Sequence, residues 1–64
     1  MNILIAKTIL QEYINKNEIA LYENDAFLNF DLLCDIASDD DEIIEILDII
    51  EFMNMKHILA NVRA

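Results

Sequence analysis

The absence of both glycine and proline from all 64 residues constrains the fold of this chain more than any other feature. Hairpin turns, β-bulges and tight strand-to-helix loops usually depend on one or both of these residues. Helices joined by connections of Asn, Asp and Ser need neither glycine nor proline. The sequence therefore predicts an all-α fold with no sheet, and it excludes glycine-rich loops that bind phosphate groups.

The length of the chain allows one domain, predicted to span residues 1–64. A chain this short buries only about 60% of the surface that its unfolded form exposes, so it commonly needs a disulfide, a metal or a partner subunit. Cys34 is the only cysteine and His57 the only histidine, which excludes an internal disulfide and a Cys/His zinc site within one chain. The 56% hydrophobic content argues against disorder. We therefore expect an apolar core, an oligomer or both, without a metal or cofactor.

Hydrophobic spacing predicts a first helix over residues 2–16 with Asn2 as its N-cap. A second helix is predicted to begin after Asn24 or Asp25 as the cap. Between the two helices, residues 18–23 fit three interpretations: a continuation of the first helix, a separate turn or a short extended piece. The predicted inner faces are Ala6, Ile9, Leu10, Tyr13 and Ile14 in the first helix, and Ala26, Phe27, Phe30, Leu33, Cys34 and Ala37 in the second.

A third helix is predicted over about residues 39–61. Ser38 is its expected N-cap, and Asp41 is placed to complete a capping box. The acids of residues 39–42 then fall in the first turn, where the helix dipole favours negative charge. The resulting fold is a three-helix bundle, or alternatively two long helices and a short one.

The third helix has an unusual polar period. From Asp39 to His57 every third residue is polar, and between Glu42 and Asn54 the intervening pairs are all apolar. At about 100° per residue, each polar position slips by about 60° around a helix axis. Over a long helix, apolar side chains would point in nearly every direction, and two neighbouring helices could not cover them all. We therefore predict a homo-oligomer, most simply a two-fold dimer, with the third helix at the contact. The predicted interface residues are Ile46, Ile49, Ile50 and Met53.

Negative charge is concentrated in one part of the chain. Residues 17–55 hold 12 acids and no base, and the net charge of the whole chain is −9. Such a field repels nucleic acids and anionic membranes and attracts basic partners. The first residues lack the pattern of a signal peptide, and no stretch reaches the ~18–20 apolar residues of a membrane span. We therefore expect a cytoplasmic protein that contacts neither nucleic acid nor membrane directly.

The acids of the third helix form the predicted partner-binding surface. Acids three residues apart on a helix repel one another, and no base in this segment relieves them. An ordinary solvated face usually mixes charges of both signs. Two interpretations follow: an acidic surface that maintains solubility, or a surface that binds a basic protein. The residues of this surface are Asp39, Asp40, Asp41, Glu42, Glu45, Asp48 and Glu51.

No pattern in the sequence indicates catalysis. Cys34 and His57 lack the surroundings of a nucleophile and base, and short helices offer little room for a catalytic pocket. Residues 39–42 lack the glycine and the ligand spacing of a calcium loop. The leading hypothesis is a non-enzymatic helical oligomer that binds and modulates, most simply by inhibition, a basic or nucleic-acid-handling protein. The alternatives are a structural oligomerisation subunit of a larger assembly and, less favoured, a divalent-metal-binding protein.

Overall fold

Three α-helices and one short 3₁₀ helix make up most of the computed structural model, which describes residues 2–62. Helix α1 spans Ile3–Lys16, α2 spans Ala26–Ile36, α3 spans Asp41–Phe52, and the 3₁₀ helix spans Lys56–Asn61. No strand occurs in this part of the chain. The prediction of an all-helical fold is confirmed.

Each α-helix begins at a side chain that accepts a hydrogen bond from a backbone N–H of its first turn. Asn2 caps α1, Asp25 caps α2 and Asp40 caps α3, with O···N distances of 2.8, 3.0 and 3.3 Å. The predicted caps of the first two helices are confirmed. The prediction for the third is wrong, because Ser38 lies exposed inside a turn that the Asp40 N–H closes on the Ala37 carbonyl at 2.9 Å. The capping box expected with Ser38 therefore does not form.

We expect the Asp40 cap to contribute measurably to stability. Replacing Asp40 with alanine should lower the free energy of unfolding by about 1 kcal/mol, because a first-turn N–H loses its acceptor. Ser38→Ala should change it by less than about 0.5 kcal/mol. Asp40→Asn keeps an acceptor oxygen while removing the charge, so it should retain most of the stability. Urea denaturation compares the three variants, and an equal loss in the Ser38 and Asp40 alanine variants would contradict this assignment.

Two α-helices end in left-handed residues although the chain has no glycine. Glu18 has φ 52° and Asn54 has φ 56°. After α1, the N–H of Ile19 donates to the carbonyl of Ile14 at 3.1 Å. After α3, the N–H of Met55 donates to the carbonyl of Ile50 at 2.9 Å, again five residues back. These are Schellman motifs, which usually place glycine at the left-handed position. Asn and Glu supply that conformation here, Asn at the lower steric cost.

The predicted single helix over residues 39–61 is wrong, because α3 ends at Phe52. Beyond the turn, the 3₁₀ helix packs against α2. A straight helix over that range would be about 35 Å long, whereas the longest dimension of the molecule is 25 Å. Folding back buries Leu59 and Val62 in the core, where at most 2% of each is exposed. Burial of these two side chains explains why the chain turns.

One hydrophobic core joins the three α-helices, the 3₁₀ helix and the connection between α1 and α2. The radius of gyration is 10.2 Å, close to the value of about 11 Å expected for a compact domain of this length. A single chain therefore encloses its own core. The core residues are Ala6, Leu10, Ile14, Ile19, Ala26, Phe30, Leu33, Ala37, Ile43, Ile46, Leu47, Ile50, Leu59 and Val62.

Within residues 2–62 one polar residue, Asn29, is buried, with 1% of its surface exposed. Its Oδ1 accepts a hydrogen bond from the Tyr22 N–H at 2.7 Å, and its Nδ2 donates to the Leu59 carbonyl at 3.1 Å. Asn29 thus joins the α1–α2 connection to the 3₁₀ helix through α2. Residues 18–23, for which the sequence left three interpretations, form no helix. Continuation of α1 is therefore excluded.

Candidate protein-interaction surface

Helix α3 buries one face and exposes the other. Because it has only 12 residues, polar positions that slip by about 60° at each step cover only about half of its circumference. The polar side chains therefore stay within the solvent-exposed half of the helix, and α3 needs no second chain to cover its apolar side. The polar period therefore gives no argument for an oligomer, because that argument required a longer helix. The buried face has ordinary helical spacing and consists of Ile43, Ile46, Leu47 and Ile50.

Two of the four predicted interface residues lie inside the core of a single chain. Ile46 and Ile50 are 0% exposed, so a second copy cannot contact them in this conformation. Ile49 is half-buried and Met53 is exposed. Of the four predicted residues, Ile49 and Met53 are therefore the ones available for a contact between copies, and that contact stays a prediction.

The exposed half of α3 is acidic and extends from the α1 side to the α2 side. Its four acids at intervals of three, here called the acidic ladder, are Glu42, Glu45, Asp48 and Glu51, and all are exposed. At one end, Glu42 borders a shallow groove beside Lys16 of α1. At the other end, the Glu51 carboxylate lies 3.6 Å from the Lys56 ammonium. The ladder therefore crosses the outer surface of α3 instead of following one line along it.

The remaining acids of the predicted surface lie at the start of α3. Asp39 and Asp41 are exposed, whereas Asp40 is half-buried because its carboxylate caps the helix. Within residues 2–62, the pair between Glu51 and Lys56 is the one ion pair. The other acids of this surface therefore face solvent without a base from the described part of the chain.

Lys56 is partly buried and has three charged or aromatic neighbours. Its Nζ lies 4.3 Å from the centre of the Phe30 ring and 5.7 Å from that of Phe27, in addition to its contact with Glu51. A cation over an aromatic face is attracted by the negative face of the ring. Lys56 thereby attaches the 3₁₀ helix to α2. It is the only Lys or Arg between residues 17 and 62, so no other lysine or arginine of this region can neutralise the ladder.

Cys34 is half-buried in α2, and His57 is exposed in the 3₁₀ helix. Burial raises the pKa of the Cys34 thiol, and the carboxylates of Asp31 and Glu51 raise it further. A raised pKa keeps the sulfur protonated at neutral pH, which is the opposite of what activates a cysteine nucleophile. Among residues 2–62, no group of three or more His, Cys, Asp or Glu side chains is placed to hold a metal ion.

A surface groove of about 300 Å³ lies between residues 19–24 and the chain near Ala60 and Val62. Its described lining contains one carboxylate, that of Glu23, so it lacks a pair of acids for general acid–base chemistry. None of the helices in the described range is both long and apolar enough to cross a bilayer.

No family model, no curated protein and no solved structure matches this chain. Its class is therefore defined by its own structure. Over residues 2–62 it is a small all-helical protein with three α-helices, and the outer half of α3 carries an acidic surface.

Proposed function

We propose that this protein is a non-enzymatic interaction module whose acidic ladder binds a basic region of another protein and modulates it, most simply by inhibition. One observation carries the proposal: all four ladder acids are exposed, and within residues 2–62 only Glu51 forms an ion pair with a base. Uncompensated acids on one surface attract a basic partner and steer its approach. Nucleic-acid-handling proteins present such basic surfaces, because they neutralise phosphates with Lys and Arg.

The cost of the ladder supports a role in binding. Acids three residues apart on a helix repel one another by a few tenths of a kcal/mol per pair, and repulsion of this kind destabilises a small fold. A bound basic partner would relieve it. The proposal places the protein in the cytoplasm, since a single free cysteine suits a reducing compartment. It includes no direct contact with nucleic acid or membrane.

Charge neutralisation tests the proposal with a matched control. The ladder variant carries Glu42→Gln, Glu45→Gln and Asp48→Asn, and leaves Glu51 with its Lys56 contact. The control carries Glu18→Gln, Glu23→Gln and Asp35→Asn, three exposed acids outside α3. Both variants lose the same charge. The probe is a synthetic lysine-rich peptide, with binding measured by fluorescence anisotropy at low and near-physiological salt.

We expect the ladder variant to bind the peptide about tenfold more weakly than the control, a difference of about 1.4 kcal/mol. Its binding should also depend less on salt. Circular dichroism should show the helices intact in both variants, because all six side chains are exposed. An equal loss of affinity in the two variants would mean that binding follows net charge alone and that the ladder is ordinary surface.

The alternative, a structural oligomerisation subunit of a larger assembly, has one observation in its favour. Leu4 and Ile5 near the start of α1 are 69% and 55% exposed, in a segment that carries a small positive excess. Two copies joined there would keep their acidic surfaces apart. Sedimentation over a range of concentrations tests this alternative, since a monomer at every concentration excludes it.

A further inference from the structure

The side of α3 that faces directly away from the core combines acids with an exposed aromatic ring. Four positions on this side fall within about 60° of one another around the axis, opposite the buried face. Phe52 is 92% exposed, more than any other large apolar side chain of the described residues. We call this set the outward row, and it consists of Asp41, Glu45, Asp48 and Phe52.

We propose that the outward row is a docking face for a basic amphipathic helix of a partner protein, with Phe52 as its apolar anchor. This deepens the proposed function and rests on it. The carboxylates of the row meet Lys or Arg side chains of the partner. Phe52 packs against an aliphatic or aromatic side chain on the same face of that helix.

The chemistry of the row selects this occupant. A wholly polar basic segment would leave the Phe52 ring in water. A wholly apolar partner would bury three carboxylates without pairing them, which is costly. A helix with bases and an apolar residue on one face satisfies both. The row has spacing i, i+4, i+7, i+11 and extends for about 16 Å, or about three turns, so a partner helix of the same pitch can match it position by position.

Charge repulsion opposes a second copy of this chain as the occupant of the row. A two-fold contact places the same surface of each copy against itself. The outward row would then bring three acids against three acids, between molecules that each carry a net charge of −9. Anionic lipids and nucleic acids meet the same repulsion. A basic peptide segment is the partner whose charge complements the row.

Two synthetic peptides of identical Lys and Leu content provide the probes. In one, the leucines lie on one helical face beside the lysines, and in the other the sequence is scrambled so that no apolar face forms. Affinities are measured by fluorescence anisotropy for the wild type, Phe52→Ser, Tyr22→Ser, the ladder variant and its acidic control with Glu18→Gln, Glu23→Gln and Asp35→Asn. Tyr22 is a matched control, since it is aromatic, 55% exposed and outside α3. Circular dichroism verifies the fold of each variant.

The wild type should bind the amphipathic peptide about tenfold more tightly than the scrambled one, as expected for burying much of one aromatic side chain. Phe52→Ser should remove this preference while leaving affinity for the scrambled peptide unchanged. Tyr22→Ser should keep the preference. The 92% exposure of Phe52 makes the substitution compatible with folding.

The contrary outcomes are distinguishable. If Phe52→Ser still prefers the amphipathic peptide while the ladder variant loses affinity, Phe52 is not the anchor and the proposed function stands. If the ladder variant and the matched acidic control lose equal affinity for both peptides, the proposed function fails and this inference with it. If Phe52→Ser dissociates a dimer in sedimentation, a second copy covers the row and the assigned occupant is wrong.

Discussion

Replacing Ile46 with aspartate should unfold this protein instead of separating folded copies of it. Ile46 is 0% exposed within the core of a single chain, and an unpaired carboxylate buried there costs several kcal/mol. A core of this size supplies only about 3–5 kcal/mol of stability. Far-UV circular dichroism of Ile46→Asp should therefore show loss of helix at every protein concentration.

Met53→Asp is the matched control, because Met53 was also predicted to lie at an interface but is 49% exposed. This variant should remain helical. The conservative change Ile46→Val should also remain folded, at a cost of about 0.5–1.5 kcal/mol. An Ile46→Asp chain that stays helical and only dissociates in sedimentation would show that Ile46 faces another chain.

Loss of the Asn29 amide should have the second large effect. In Asn29→Ala, the Tyr22 N–H loses its acceptor, at about 1–3 kcal/mol for an orphaned group, and a cavity adds to this cost. The Leu59 carbonyl loses one of its two donors and keeps the Val62 N–H at 3.4 Å. We expect a loss of about 3 kcal/mol or more in the free energy of unfolding, measured by urea denaturation. Hydrogen exchange should rise first in the α1–α2 connection and the 3₁₀ helix, which Asn29 joins.

Asn29→Asp separates the hydrogen-bonding role from packing, since the two side chains have nearly the same shape. The carboxylate still accepts from Tyr22 but cannot donate to Leu59, and it places a charge at a site that is 1% exposed. Burial raises the pKa of such a carboxyl in the folded state above its unfolded value. The folded variant therefore binds the proton more tightly, and its stability should rise as the pH falls. Wild-type stability of Asn29→Asp at neutral pH would contradict this role.

The sequence predicted the starts of α1 and α2 and most of their inner faces because their signals are local, but the placement of Phe27 on the inner face of α2 is wrong, since Phe27 is 69% exposed. The caps Asn2 and Asp25 bond N–H groups two and three residues away, and Ala6, Leu10 and Ile14 repeat at the spacing of one helical face. The end of α3 could not be predicted in the same way. The polar period of three residues continues through Asn54 to His57, so it did not indicate that the helix ends at Phe52. Asn54 alone is a weak stop signal.

The candidate surface could be predicted in part. Six of its seven predicted acids are exposed, and Asp40 is half-buried through its capping role. The predicted interface placed Ile46 and Ile50 between two chains because it assumed a long third helix. Asn29 was missed, although a polar residue in line with Ala26 and Leu33 on the inner face of α2 is a signal that could have found it.

The sequence by itself determined the all-helical class, the starts of α1 and α2 and the acidity of the outer surface. Each of these follows from composition or from residues within about four positions of one another, where helical hydrogen bonds and caps act. The tertiary structure alone decided where α3 ends, what covers its apolar face and what Asn29 binds. Asn29 reaches a partner 30 residues away in Leu59, and the fold of the whole chain brings Leu59 and Val62 into the core that α3 shares. Contacts over such separations depend on the packing of all elements at once, which no local pattern encodes.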